Sequence, residues 1–334
     1  MSAVPVLAGD LGGTKTLLLL AEVDGNRVRV RRRQRFASGD YRDLRPMVDE
    51  FLSGSAGEPP PRRACFGVAG PVEDDGTHQR SRLTNLPWEL DSAALAKGLP
   101  VEQVRLINDF QAVAFGIDAL GAEDLCTLQQ GQIQPRGIRA ALGAGTGLGQ
   151  AMAVWQDGRY EAFPTEGGHA DFGPTDALQE ALLHSLREDL DHVSYERLLS
   201  GSGLARIYRF LQMREGAAPP PELAEAFQNG DPAPLISDLG LSGGDPTAER
   251  ALDLFVRIYG AQAGNLALTV LARGGVFLAG GIAPQILPRL REGIFIEAFR
   301  RKGRMSELAA AIPVHVILNR DAGLLGAALA AGRL

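Results

Sequence analysis

Two stretches of the chain, 133 residues apart, follow the same plan. "LAGDLGGTKTLLLLAEVDGNRV" begins at Leu7 and "ALGAGTGLGQAMAVWQDGRY" begins at Ala141. Each reads as apolar strand, Gly/Thr-rich turn, apolar strand, then an Asp-Gly turn. Gly12 and Asp24 stand at the same offset from Gly145 and Asp157 (145−12 and 157−24). A shared offset of this kind points to a duplicated domain, with one hairpin opening each half; the competing account is a coincidence of two hairpins.

Around the two hairpins, apolar runs of strand type alternate with helical patterns. "RRACFGVAG", "VRLIND", "GGVFLAGG" and "IPVHVIL" read as further strands. Helical spacing covers Leu44 to Leu52, Phe110 to Leu120, Asp176 to Leu190, Glu196 to Arg214, Ala248 to Leu271 and Leu324 to Ala331. This alternation predicts an α/β fold with largely parallel central strands. The run "RVRVRRRQR" reads as an amphipathic strand with a charged outer face. Gly216 to Pro246 is the least patterned stretch and reads as a variable excursion.

At 334 residues the chain is long for one domain and suggests two. A net charge of -6 gives no electrostatic reason to expect nucleic-acid binding. The two cysteines, Cys65 and Cys126, build neither a disulfide framework nor a zinc site, so a reduced cytoplasmic setting fits. The first ten residues lack the charged start and apolar stretch of a signal peptide. No apolar run approaches the ~18 residues that span a bilayer, so no membrane association is expected.

The two turns, "DLGGTKT" and "GAGTGLG", supply glycines whose N–H groups can face a phosphate and threonines whose hydroxyls can donate. Neither is a Walker A loop, because Lys15 follows Thr14 instead of a glycine. Neither is a dinucleotide fingerprint, because Leu148 occupies the third glycine place. Tight hairpins without a ligand remain the alternative, weaker for two such turns than for one. Gly280 and Gly281 in "GGVFLAGGIAP" allow a flat ligand close to the backbone, or simply make a turn.

Three groups of polar residues interrupt the apolar patterning. Asn108 and Asp109 stand between a strand and a helix in "LINDFQAVAFG". Either could cap the helix; a base at the carboxyl end of a strand is the other reading. Glu166 and His169 flank Gly167-Gly168 in "FPTEGGHADFGP", and the glycines let the loop bend so that both side chains converge. A carboxylate and an imidazole suit the hydroxyls of a polyol; a solvated loop is the plain alternative. Glu196 falls in the first turn of a helix, where it serves the helix dipole or joins the same set.

In order along nearly the whole chain, "LAGDLGGTKT", "AGPV", "LTNLPW", "INDFQAVA", "GAGTGLG", "EGGHADF", "HVSYERLLSGSGL", "GNLAL", "GGVFLAGGI", "KGR" and "GLLGAA" resemble bacterial glucokinases of the hexokinase/actin/Hsp70 ATPase superfamily. The cysteine-rich zinc signature of the related ROK sugar kinases is missing, so the plain glucokinase branch fits. The local peculiarities are Leu86-Pro87 and the Gly216 to Pro246 excursion.

The resemblance implies duplicated ribonuclease-H-like (actin-like ATPase) domains around a central cleft. The small domain would span 1–110 plus about 320–334, and the large one 111–319. It implies ATP-dependent phosphorylation of glucose at its 6-hydroxyl, with Asp109 as general base. Asn108, Asp109, Glu166, His169 and Glu196 would hold the sugar. Gly9, Asp10, Gly12, Gly13, Thr14, Gly145, Thr146 and Gly147 would take the ATP phosphates, and Gly280 and Gly281 the adenosine. Asp10 would hold Mg²⁺ through water. A cytoplasmic homodimer is implied on the same basis. Two other classes compete. A sugar-sensing regulator would want a DNA-binding extension before "VPVLAGD". An actin-like or Hsp70-like ATPase would not need the "EGGH" and "IND" residues.

Overall fold

The computed structural model describes residues 3–55, 57–83 and 86–334. Thr84 and Asn85 of the "LTNLPW" segment lie outside the described residues. The chain divides into two compact units. Unit 1 comprises residues 1–124, 151–164 and 319–334; unit 2 comprises 125–150 and 165–318.

Unit 1 begins with β1 (Val4–Leu11), β2 (Lys15–Asp24) and β3 (Arg27–Ala37), followed by β4 (Arg63–Val68). A small sheet of β5 (Val72–Asp74), β6 (Gln79–Arg82) and β7 (Glu89–Asp91) precedes β8 (Gln103–Asn108). The main sheet has the order β3-β2-β1-β4-β8. Its first three strands are antiparallel, and β4 and β8 run parallel to β1. β1 and β2 lie inside the sheet, and nearly every side chain from Val6 to Val23 in them is buried, as their continuous apolar runs predict. β3 is the edge, and its arginines face solvent except Arg32, which is half-buried over the Phe51 ring.

The register sets the functional ends. Asp10 of β1 pairs with Gly67 of β4, and Gly67 with Ile107 of β8. Asp10 and Asn108 therefore emerge at the same carboxyl-terminal edge of parallel strands, where α/β folds place ligands.

The second sheet contains β9 (Leu125–Gln129), β10 (Arg139–Ala144), β11 (Leu148–Gln156), β12 (Arg159–Thr165), β13 (Gly275–Ala279) and β14 (Val314–Ile317). Its order is β12-β11-β10-β13-β14-β9. Strands β10, β13 and β14 are parallel, and β9 joins antiparallel at the far edge. The sequence of neighbours β12-β11-β10-β13-β14 repeats β3-β2-β1-β4-β8 step for step. The fold is the duplicated, actin-like α/β architecture that the repeated hairpins announced. Asp157 takes a left-handed φ of 48° in the second Asp-Gly turn and Gly25 one of 58° in the first, as tight hairpins demand.

Helices differ from expectation in several places. Gly216 to Pro246 carries two helices, Pro221–Asn229 and Ala233–Ser242, each with proline in its first turn. Their apolar stripes, with Leu223 and Ile236 buried, are too short for periodicity to stand out between prolines. Glu196 lies outside the following helix, which starts only at Gly201 with Ser200 as its cap. The Ser200 hydroxyl accepts from Gly203 N–H, and Leu199 N–H closes an earlier turn on Tyr195 O at 2.7 Å. Phe110 to Leu120 is likewise shorter as a helix, Asp109–Gly116 followed by a 3₁₀ turn.

The helix Ala322–Gly332 packs within unit 1 against the helix Asp109–Gly116. A Cβ on Gly326 would collide with Ala112 O, and one on Gly116 with Ala322 O. The glycines let the two backbones touch, which fixes the helix that begins at Asp109. Filling either site would cost at least the ~1–3 kcal/mol typical of an overpacked core.

Candidate active site

At the end of β8, Asn108 accepts from Phe110 N–H at 2.9 Å and Gln111 N–H at 3.2 Å. It is the helix cap. Its amide also donates to Gly70 O at 3.2 Å, which leaves one amide proton for a ligand. Because Asn108 caps, Asp109 is not needed for that job and occupies the first helical position. Its Oδ1 lies 2.8 Å from Phe110 N.

Asp10 is the penultimate residue of β1, followed by fully buried Leu11. Burial pushes its carboxyl above the usual carboxylate range; the Lys15 ammonium opposes this and the Asp321 carboxylate adds to it. The turn that follows is closed by Gly12 N–H on Lys15 O at 3.0 Å. Ser38 holds it from the side, donating to Gly12 O at 2.7 Å and meeting the Thr16 hydroxyl at 3.0 Å. Gly13 and Thr14 stay accessible at its tip. Gly9 lies further back in the strand, against the Phe66 ring.

In unit 2 the matching turn is closed by Gly145 N–H on Gly147 O at 2.8 Å. Gly145 faces open space, and Thr146 is exposed. Gly280, at φ 80°, sits against this turn's strand: a Cβ there would meet Ala144 O. Gly281 beside it opens to solvent space. The structure thus brings Gly145, Thr146, Gly147, Gly280 and Gly281 to neighbouring strand ends.

The second turn leads straight to the polar cluster. Glu196 accepts from Leu148 N–H at 2.9 Å, and its Oε2 lies 2.5 Å from where a Cβ of Gly147 would be. The His169 ring lies between two carboxylates, Nδ1 3.8 Å from Glu196 and Nε2 3.9 Å from Glu166. Glu166 and His169 are largely exposed, whereas the Glu196 side chain is about one-third accessible, at 31%. The cluster offers several acceptors and a ring that donates and accepts, the complement of a polyol.

The reason for the two glycines differs from the sequence reading. Gly167 and Gly168 form a 3₁₀ turn with ordinary backbone angles. They are needed for space: a Cβ on Gly168 would strike Leu148 O, and one on Gly167 would lie 2.5 Å from Gln150 Oε1. Sequence reasoning also passed over Ser38 and Gly201, whose N–H donates to Gly145 O at 3.0 Å. The serine adjoining Gly39 is the faint signal for the first; a capping serine before Gly201 is that for the second.

Among the described residues no group of three or more His, Cys, Asp or Glu side chains could hold a metal ion. The largely buried carboxylate of Asp10 fits instead a Mg²⁺ held through water and substrate phosphates, the usual mode for this reluctantly dehydrated ion. Among the described residues no helix is long and apolar enough to cross a membrane.

A glucokinase family profile matches residues 7–334. The glucokinase of Nostoc sp. (strain PCC 7120 / SAG 25.82 / UTEX 2576) is 46% identical over 343 residues, covering 98% of this chain and 99% of that one. The chain belongs to the glucokinase family. The glucokinase of Synechocystis sp. (strain ATCC 27184 / PCC 6803 / Kazusa) is 43% identical over 99% of this chain and 98% of its own. The crystal structure of a glucokinase from an Antarctic psychrotroph superposes with a TM-score of 0.86 at 31% identity, covering 99% of both chains. A ROK-family glucokinase from Streptomyces griseus, solved with glucose and AMPPNP, shares the fold at 22% identity and a TM-score of 0.67. Glucokinase membership makes this chain a kinase that phosphorylates glucose, a phosphotransferase with an alcohol acceptor.

Proposed function

We propose that the enzyme transfers the γ-phosphoryl group of ATP to the 6-hydroxyl of D-glucose, giving glucose 6-phosphate and ADP. The observation that carries this reading is the Glu166–His169–Glu196 cluster, joined to the second Gly/Thr turn through Leu148 N–H. It supports a polyol acceptor held beside a phosphate donor. The ATP-analogue complex of the Streptomyces griseus relative supports the nucleotide.

Asp109 accepts the hydroxyl proton as the sugar oxygen attacks phosphorus and the bond to the β-phosphate oxygen breaks. Asn108 offers its remaining amide proton to the sugar. Glu166, His169 and Glu196 hold the other hydroxyls and select the oxygen that reacts; positioning does most of the work in phosphoryl transfer. The turn of Gly12, Gly13 and Thr14 and that of Gly145, Thr146 and Gly147 donate to phosphate oxygens. Gly280 and Gly281 admit the adenosine. Bound Mg²⁺, held by Asp10 through water, would neutralise phosphate charge. Action as a homodimer in the cytoplasm belongs to the same reading and rests on the family resemblance.

Turnover of glucose with ATP and Mg²⁺, coupled to detection of glucose 6-phosphate, tests this. Asp109→Asn is nearly isosteric and cannot take the proton. The expected loss in kcat is ~10²-fold or more with glucose binding retained. Near-normal activity in that variant would remove Asp109 from the mechanism. No turnover in the wild type would overturn the donor assignment.

A further inference from the structure

Glu196 and His169 sit on two segments zipped together by backbone bonds within unit 2. Glu196 N–H donates to Gly168 O at 2.9 Å, Tyr195 N–H to Ala170 O at 3.0 Å, and Phe172 N–H to Val193 O at 2.9 Å. The side chain between them is Tyr195, only 5% exposed, with its ring edge-on to Phe172 at 5.6 Å. Its hydroxyl accepts from Gly173 N–H at 3.4 Å and from Asn265 Nδ2 at 3.0 Å. Asn265 lies on the long helix Pro246–Thr269, and its Oδ1 accepts from Lys302 Nζ at 2.7 Å. Lys302 Nζ also donates to Ala261 O at 2.9 Å.

This chain of bonds has a built path. A Cβ on Gly264 would lie 2.5 Å from Lys302 Cε, so the glycine beside Asn265 leaves room for the lysine stem across the helix. An ammonium withdrawn from water against carbonyl oxygens is held firmly only while those bonds persist. Burial lowers the Lys302 pKa. None of the three side chains reaches the sugar cluster. Tyr195, however, is the residue next to Glu196 and the rung next to His169.

We infer that Lys302, Asn265 and Tyr195 form a brace that sets Glu196 and His169 in position for glucose, making them positioning residues of the sugar site. The proposal rests on the reading of Glu166, His169 and Glu196 as the glucose-holding set. Losing the Tyr195 hydroxyl leaves the fold intact and lets the loop relax, which weakens sugar binding and leaves nucleotide binding unchanged.

The test compares Tyr195→Phe, Asn265→Asp and Lys302→Met with Glu196→Gln in the full-length enzyme. Glucose and ATP KM, kcat, glucose Kd by calorimetry and Tm are measured for each. Asn265→Asp is the control, because its carboxylate keeps a partner for Lys302 and accepts from the Tyr195 hydroxyl, so the link persists with its direction reversed. Tyr195→Phe is expected to raise glucose KM and Kd about three- to tenfold, the worth of one hydrogen bond, with ATP KM and Tm nearly unchanged, and Asn265→Asp to stay close to wild type. Tyr195→Phe combined with Lys302→Met should bind glucose no worse than Tyr195→Phe alone, since both break one chain of bonds. Glucose and ATP KM rising together, or Tm falling with glucose KM intact, would overturn the brace. If Glu196→Gln raises glucose KM while the brace variants do not, the brace alone fails. If Glu196→Gln itself leaves glucose binding unchanged, the sugar set fails and the brace with it.

Discussion

In unit 1 the turn after β1 is held by hydroxyls: Ser38 bonds Gly12 O and Thr16, and the nearby carboxylate, Asp10, belongs to the strand itself. In unit 2 the turn after β10 is held by an imported carboxylate, Glu196 on Leu148 N–H, and by the Gly201 amide. The topology was copied; the bracing was not. Within unit 2 the second turn is bonded to Glu196, one of the residues proposed to hold the sugar, whereas within unit 1 the first turn is bonded to Ser38. The two turns therefore should respond differently to the same kind of change.

The sharpest way to break this contrast is glycine replacement. Gly147→Ala places a methyl on the Glu196 carboxylate and forces it off Leu148 N–H. Glucose KM should rise roughly tenfold or more, the cost of a charge-assisted hydrogen bond, together with ATP KM. Gly145→Ala meets no atom within 4 Å and should affect ATP alone, by severalfold at most. Steady-state kinetics on both substrates separates the two; equal glucose effects would mean the second turn and the sugar set are not linked.

A smaller effect is expected from Ser38→Ala. It leaves the buried Thr16 hydroxyl without its partner, at a cost of about 1–3 kcal/mol in denaturant unfolding. ATP KM should increase severalfold while calorimetric glucose Kd stays put, unlike Gly147→Ala, which moves both substrates.

Asp10→Asn should sharpen the contrast through stability. A carboxyl whose folded pKa is raised costs stability above that pKa, and the cost fades as pH falls toward the ordinary value of 3.8. The variant should lose activity yet show a higher Tm at pH 7. The gain should vanish near pH 4; a gain that persists there would assign it to something other than the buried charge.

The smallest signal is chemical. Cys65 is paired opposite Ala8 beneath the first turn, and burial pushes its thiol up to about 12. Cys126 is on the second sheet and only half-buried. Alkylation of the native enzyme at pH 8.5, followed by peptide mapping, should label Cys126 well ahead of Cys65, because the thiolate is the reactive form. Equal labelling would show that the sheet under the first turn opens readily.

Much of this was legible in the residues. Continuous apolar runs located β1, β2, β10 and β13, and the alternating arginines located the edge at β3, because sheet burial writes directly onto sequence period. The polar interruptions at Asn108, Asp109, Glu166 and His169 stood out for the same reason. What could not be read depended on distance. Helical spacing drew Glu196 into the next helix, since nothing local shows that its carboxylate is spent on Leu148, 48 residues earlier. The glycines of "EGGH" suggested freedom to bend, whereas the actual constraint is the backbone of another strand against them. Tyr195 and Asn265 are 70 residues apart, and no periodicity couples them.

The helix Ala322–Gly332 completes unit 1 with chain made after nearly all of unit 2. Asn319 follows Asp124 by 195 positions (319−124), which a ribosome needs about 10–40 s to supply. For that interval the helix carrying Asp109 has no glycine-faced partner to lie against. The nascent enzyme must keep its first unit open while its second matures, and Asp109, the proposed proton acceptor, is locked in place only when the two ends of the message have both been read.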